Sequence, residues 1–501
     1  MEIHAFFDHW GIVENPFIAE EARDDPVFER LRRFDGAHPY FEKVFGQPDK
    51  PSASVVFGEK GTGKTALRLL MEEQIAHHNK RNPDKRVFAI RYDDLNPILD
   101  RFMHGHGYRS GKVDKHLQQI RLADHVDALL SITLTEIIDS LTTDDSADHP
   151  EFRAMVRNMP LHQRIDLALL SLLYDQPAKA DPEQRISRIR SLVRVGRVPW
   201  MRFAKYCGFA LLVLAVALLG YQWFAGWTSY GMIAGGVASG VASLGLLGVW
   251  AKRMMSVWGL ARKIRKDMFT VHKSTNQLVN GLSRFTRSQL ETRPLPMPGD
   301  QDSRYQLTSR LLDVLEGFGY CCMIVLIDRV DEPALVSGEP EKMRSLIWPL
   351  FNNKFLQQDR FGVKMLLPIE LRHLLLREDG EFFQKARLDK QNMIDRLMWS
   401  GTMLYDMCSR RLRACQRSDA EEISLDSLFD EDVSHQDLID ALEQMHQPRD
   451  AFKFVYQVIS EHCSNVPQDL AVWRIPRLTL DNVRRQQSQR VQDLSRWLAP
   501  A

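Results

Sequence analysis

Eight consecutive residues, Gly58-Glu-Lys-Gly-Thr-Gly63-Lys64-Thr65, carry the densest chemistry in the chain. Gly58, Gly61 and Gly63 let a backbone turn its N–H groups inward, and a helix starting just after them adds the positive end of its dipole. This is the full GxxxxGK[ST] phosphate loop, a P-loop. In that pattern the Thr62 amide helps line the cradle and Lys64 reaches the β- and γ-phosphates of a nucleotide. The Thr65 hydroxyl then helps to hold Mg²⁺.

Such a loop needs an acid at the end of a neighbouring strand to complete the metal site. The stretch "YCCMIVLIDRVDEP" offers one: an apolar run at 321–327 ending in Asp328, with Asp331 and Glu332 just beyond. Asp328 is expected to act on Mg²⁺, directly or through water. Asp331 or Glu332 could orient an attacking water, with a slight preference for Glu332. The plainer alternative is a buried strand followed by a solvated acidic turn.

These residues require strands to hold them. The run at 53–57 leads into the loop, and a helical pattern follows it. "KRVFAIRYDDL" reads as a second strand at 87–92, and "FGVKMLLPIELR" as another at 363–367. Helical patterns fill 114–144, 161–174, 253–291 and 303–318. Strands alternating with helices predict a mainly parallel sheet covered on both faces. Beyond about residue 381 the strand signal disappears and apolar residues fall at helical spacing.

Between the loop and the distant acid lies an uncharged block, 206–251. Two apolar runs within it, 206–223 and 230–250, are each close to the ~20 residues that cross ~30 Å of hydrocarbon. The stretch 224–229 between them leaves room only for a turn, so the runs form a hairpin. Aromatic residues gather at one end (Tyr221, Trp223, Trp227, Tyr230) and at the other (Trp200, Tyr206, Trp250), as interfacial belts do. Basic residues flank both outer ends: Arg185, Arg188, Arg190, Arg194, Arg197, Arg202 and Lys205 before, Lys252, Arg253, Arg262, Lys263, Arg265 and Lys266 after. Both flanks are expected on the cytoplasmic side. Two crossings return the chain to the side it left, so Lys64 and Asp328 can still share one nucleotide. Within the second run Gly231, Gly235, Ser239 and Ser243 recur every fourth residue, a face suited to close packing on the first helix.

Composition narrows the rest. The 501 residues carry a net charge of +1, which selects no class of partner. The six cysteines show no CxxC pairing or disulfide framework and fit reduced thiols. His77, His78, His104, His106 and His125 lack metal-site partners. The opening residues have early acids and no cleavage-site pattern, so they are not read as a signal peptide. The basic tail "NVRRQQSQRVQDLSRW" is better explained as a solvated helix face than as a nucleic-acid site.

"GEKGTGKT" together with "VLIDRVDE" resembles P-loop ATPases of the AAA+/STAND branch. The Asp-x-x-Asp-Glu spacing is similar to NACHT-type Walker B motifs, and Asp-x-x-Asp is also found in KAP ATPases. KAP proteins resemble this chain further in carrying membrane helices between the phosphate loop and the Walker B acid. "QPRDAFKFV" (447–455) looks like the Pro-Arg element of their helical lid, which implies that Arg449 senses the γ-phosphate. "FFDHWGIVENPF" is similar to the Gly-x-x-x-x-Pro-Phe opening of ExeA/TniB-type AAA+ ATPases. Arg329 departs from the pattern, standing where NACHT proteins prefer a small residue and KAP proteins commonly an acid.

The expected fold is therefore α/β: a P-loop NTPase parallel sheet with an inserted transmembrane α-helical hairpin and a C-terminal helical domain. By segment this gives an N-terminal lead-in at 1–50, NTPase core at 51–200 and 253–380, the hairpin at 201–252, and a helical lid at 381–501. The expected activity is hydrolysis of ATP with Mg²⁺, used to switch or assemble a complex at the cytoplasmic membrane face. The expected partners are the membrane, ATP and proteins, with a homo-oligomer also compatible. The alternative is an AAA+-like remodeller of DNA or of an envelope secretion assembly. A nucleotide-binding scaffold without turnover is a third reading, which the intact acidic cluster disfavours.

Overall fold

A computed structural model of the chain describes residues 1–31, 38–106, 113–142, 150–177, 182–194, 199–225, 230–300, 302–467 and 471–498. The polar stretch 143–149, Arg197 and the turn residues 226–229, with Trp227 among them, lie outside the described residues, as do the side chains of Trp200 and Arg202.

Five apolar segments pair into a sheet. β1 (Ser54–Gly58), β2 (Arg86–Tyr92), β3 (Tyr320–Ile327), β4 (Phe361–Pro368) and β5 (Asn392–Ile394) lie in the order β2-β3-β4-β1-β5. β4 pairs in parallel with β1 and β3, bringing Val55 beside Met365, Val56 beside Leu366 and Val325 beside Val363. All six side chains are buried, so both sheet faces are covered, as a parallel sheet requires. The protein is thus mixed α/β, with a parallel sheet and a majority of helix.

Two expectations about the sheet need correction. The strand carrying Asp328 does not neighbour the loop strand, because β4 lies between β1 and β3. Uniformly apolar strands carry no periodic signal of their order, so sequence could find them but not arrange them. Strand structure also does not end before 381: β5 pairs with β1 through Val55 and Met393. Three residues at a sheet edge are too few for alternation to register.

The chain divides into two compact units, Met1–Asp94 with Cys322–Ala501, and Leu95–Cys321. In the first, the lead-in and the C-terminal helices share one core. Phe6, Phe7, Ile12 and Phe17 pack among Leu404, Leu412, Phe454 and Ile459. Backbone bonds from Val13 N–H to the Cys415 carbonyl and from Arg417 N–H to the Gly11 carbonyl, both 2.8 Å, fasten them. Segments 1–50 and 381–501 are therefore continuous in space.

The second unit is helical. Helices Leu122–Thr142, Leu161–Tyr174 and Asp302–Gly317 pack on one another. Residues from Leu95 onward fall in the same compact unit as the two apolar helices. Those helices are Pro199–Ala225 and Tyr230–Asp267. Both are long and apolar enough to cross a membrane. Val213 is 68 % and Leu244 69 % exposed, so these helices are not buried in a core of the chain. The expected small-residue packing is present: Ser243 Oγ donates to the Gly208 carbonyl at 2.7 Å, and a Cβ on Gly236 would stand 3.0 Å from Leu219. The second helix continues well past Trp250, since no proline interrupts the Lys-, Arg- and Met-rich stretch that follows.

Candidate functional site

The glycine-rich loop leaves β1 at Gly58 and enters the helix Lys64–Arg81. Gly61 and Gly63 hold φ of +101° and +90°, backbone that side chains other than glycine rarely adopt. A Cβ at Gly61 would also stand 3.2 Å from Arg449 Cβ and from the Gln447 side chain. No side chain caps the first turn of the helix, which leaves its N–H groups directed into the loop.

Lys64 Nζ donates to the loop's own carbonyls, Gly58 at 2.7 Å and Glu59 at 2.8 Å. Desolvation pushes this ammonium below the usual lysine range, opposed by the carboxylates of Asp328, Asp331, Glu370 and Glu59. Asp328 follows the last residue of β3, with its N–H donating to the Tyr92 carbonyl at 3.5 Å. Burial raises its carboxyl above the ordinary aspartate value, opposed by a hydrogen bond from the Thr65 hydroxyl and by Arg68 and Lys64. The structure thus brings Lys64, Thr65 and Asp328 together at the carboxyl ends of parallel strands, where open α/β sheets bind ligands.

Asp331 and Glu332 separate here. Asp331 lies near enough to Lys64 for its charge to act there. Glu332 is held by the Arg329 guanidinium, and its side chain is 46 % exposed. Arg329 itself sits at φ +58°, a conformation that turns the chain sharply after the strand. Arg449, the second residue of the helix Pro448–Asn465, lies beside Gly61, and its Nε donates to the Glu20 carbonyl at 3.4 Å. Lys64, Thr65, Asp328, Asp331, Glu332 and Arg449 border a cavity of about 1030 Å³.

Several neighbours escaped sequence reasoning. Arg68, buried one turn after Lys64, pairs with Asp328 and Asp93 at 3.3 Å each and with Glu72. Its i+4 spacing from Lys64 and from Glu72 was a legible signal. Glu370, two residues past the end of β4, repeats the pattern of an acid after an apolar run. Trp399 had no such signal. Its indole N–H donates to the Thr62 carbonyl at 2.9 Å, while Arg396 pairs with Glu59 and Leu397 N–H donates to the Phe57 carbonyl at 2.8 Å. The segment 396–399 is therefore strapped across the loop just before the helix Gly401–Ala414.

Among the described residues, no group of three or more His, Cys, Asp or Glu side chains could hold a metal ion unaided. The oxygen set of Thr65 and Asp328 suits Mg²⁺, which protein sites commonly bind through one or two carboxylates together with substrate phosphates. The six cysteines are free thiols. In comparisons with known proteins, no family model, no curated protein and no solved structure matches the chain.

Proposed function

We propose that this chain is a membrane-anchored P-loop ATPase of the AAA+/STAND branch, KAP-like in carrying a transmembrane hairpin between its phosphate loop and its acid. The observation that carries this reading is the meeting of Lys64 and Thr65 with Asp328 across some 260 residues of chain, in a loop where Gly61 and Gly63 hold left-handed backbone and the Thr62 N–H turns back to the Glu59 carbonyl at 3.3 Å. In this reading the loop amides and Lys64 hold the β- and γ-phosphates of ATP, and Thr65 and Asp328 hold Mg²⁺. The metal neutralises charge that develops on the transferring phosphoryl group. Asp331 orients the attacking water, since Glu332 is engaged by Arg329. Arg449 reads the γ-phosphate from the helical domain.

The same geometry favours a conformational use of the nucleotide. Trp399 and Arg396 grip the loop from the segment that enters the C-terminal helices, so a loop rearranged by phosphate moves the strap. Both basic flanks of the hairpin would face the cytoplasm, with both termini and the ATPase unit. Protein partners then receive the change at the membrane surface.

The test uses the full chain purified in detergent. Mg²⁺-dependent ATP hydrolysis is expected, and Lys64→Ala and Asp328→Ala are each expected to lower turnover by about 100-fold or more. Both variants should remain in the membrane fraction after alkaline extraction. Wild-type protein that neither binds nor hydrolyses ATP would sink the proposal.

A further inference from the structure

The end of the apolar hairpin carries a group of cations that the nucleotide reading does not use. Lys205 lies over the rings of Tyr206 and Trp250, at 5.8 and 5.7 Å, where both apolar stretches stop. Lys252 follows Trp250 by two residues, exposed and without an ion-pair partner among the described residues. Arg253 is fixed by a 3.0 Å bond from its guanidinium to the Phe285 carbonyl. Phe285 belongs to a tight connection braced by Thr286, whose hydroxyl and N–H exchange hydrogen bonds with Gln289. That bracing holds Arg287 near enough for its like charge to act on Arg253. Glu291 is the carboxylate that answers, and it is already paired with Arg287 at 2.6 Å.

Arg253 and Arg287 set two positive charges against the single carboxylate of Glu291, so a further anion is favoured beside them. The fixed Arg253 guanidinium favours an oxyanion with several acceptors, as phosphate is. The neighbouring exposed aromatic and aliphatic surface excludes a free ion as the best fit, because the cations sit where hydrocarbon contact ends. We propose that Lys205, Lys252, Arg253 and Arg287 form a binding site for the headgroup phosphate of an anionic phospholipid. The site rests on the membrane reading of the hairpin and adds a lipid preference to it. Basic residues at a membrane surface attract anionic lipid, so a preference of about tenfold or more is expected.

Full-length protein reconstituted in an equimolar mixture of phosphatidylglycerol and phosphatidylcholine provides the test, with retained lipid counted by native mass spectrometry. Wild type should retain phosphatidylglycerol over phosphatidylcholine by about tenfold. The combined variant Lys252→Gln, Arg253→Gln, Arg287→Gln should fall to near parity. The charge-keeping pair Arg253→Lys, Arg287→Lys should keep most of the preference, which separates lost charge from lost fold. Lys385→Gln with Lys390→Gln, on exposed lysines of the other unit, should change nothing. Equal retention of the two lipids by wild type overturns the proposal, as does an undiminished preference in the triple glutamine variant. Alkaline extraction of wild type separates the two ideas. Protein that stays in the membrane without a lipid preference defeats the headgroup site alone, whereas protein released from it defeats the membrane reading as well.

Discussion

Lys64 and Arg304 are both cations set among carboxylates, one in each unit, and they differ in what surrounds the group. Arg304 is 2 % exposed and reaches Asp267 at 2.7 Å and Asp127 at 3.2 Å. Arg121 supplies a second cation to Asp267 at 3.0 Å, and the Tyr174 hydroxyl donates to Asp127 at 2.8 Å. Every partner in that cluster is protein, and Asp267 ends the second apolar helix, so the network ties that helix to Leu122–Thr142 and Asp302–Gly317. Around Lys64 the carboxylates act from several sides, but its hydrogen bonds go to loop carbonyls and the cluster opens on a cavity. The same residue types build a closed brace in one unit and a cluster that borders open volume in the other, and a ligand can enter only the second kind.

The brace gives the largest expected effect. Arg304→Met leaves Asp127 and Asp267 with less compensation, and breaking a buried pair on one side costs about 3–5 kcal/mol. Denaturant unfolding should show that loss. Adding Asp127→Leu should recover part of it, since both partners of one pair are then apolar. ATP turnover per folded molecule should stay within about twofold, the scatter expected for a site the change does not touch. A turnover loss of tenfold in folded Arg304→Met would break the contrast between the two clusters.

Within the open cluster the contrast sharpens to two adjacent carboxylates. Asp331→Asn removes a charge that acts on Lys64 and is expected to cut turnover by about 100-fold, the scale of general-base catalysis. Glu332→Gln breaks a pair with Arg329 near the surface and should change turnover by no more than about threefold, as exposed pairs contribute little. Steady-state turnover at saturating ATP measures both. The reverse order would return the water-orienting role to Glu332.

Spacing placed both acids just past a strand, but which one Arg329 would take depends on a left-handed turn that no pattern encodes. The loop, its helix and the two apolar helices were legible because short-range rules specify them: glycine positions, period, length. The strap at 396–399 was not, since Trp399 reaches Thr62 only through the pairing of β5 with β1 across more than three hundred residues. The shared core of Phe6 and Phe454 was hidden for the same reason, because apolar periodicity says that a face is buried but not against what.

Lys364 gives the strictest form of the comparison, as a buried cation with no carboxylate. It lies in β4, with Nζ donating to the Val44 carbonyl at 2.8 Å and the Ser52 hydroxyl at 3.3 Å, and among the described residues no acid pairs with it. Burial pushes its ammonium down to about 7. Between pH 7 and the ordinary lysine value near 10.5, the unfolded chain binds this proton and the folded protein does not, so this group makes stability rise with pH. The gain is at most about 1.4 kcal/mol per pH unit inside that window and vanishes below it, where both states are protonated. Lys364→Met removes the titration. The variant should be the more stable protein at pH 6.5, and its advantage should shrink as pH approaches 9. Melting temperatures of the two proteins across that range give the comparison, with other groups cancelling in the difference. A difference that stays flat with pH would mean that Lys364 keeps its charge in the folded state, and then a buried cation in this sheet would need a partner that its two neutral neighbours do not supply.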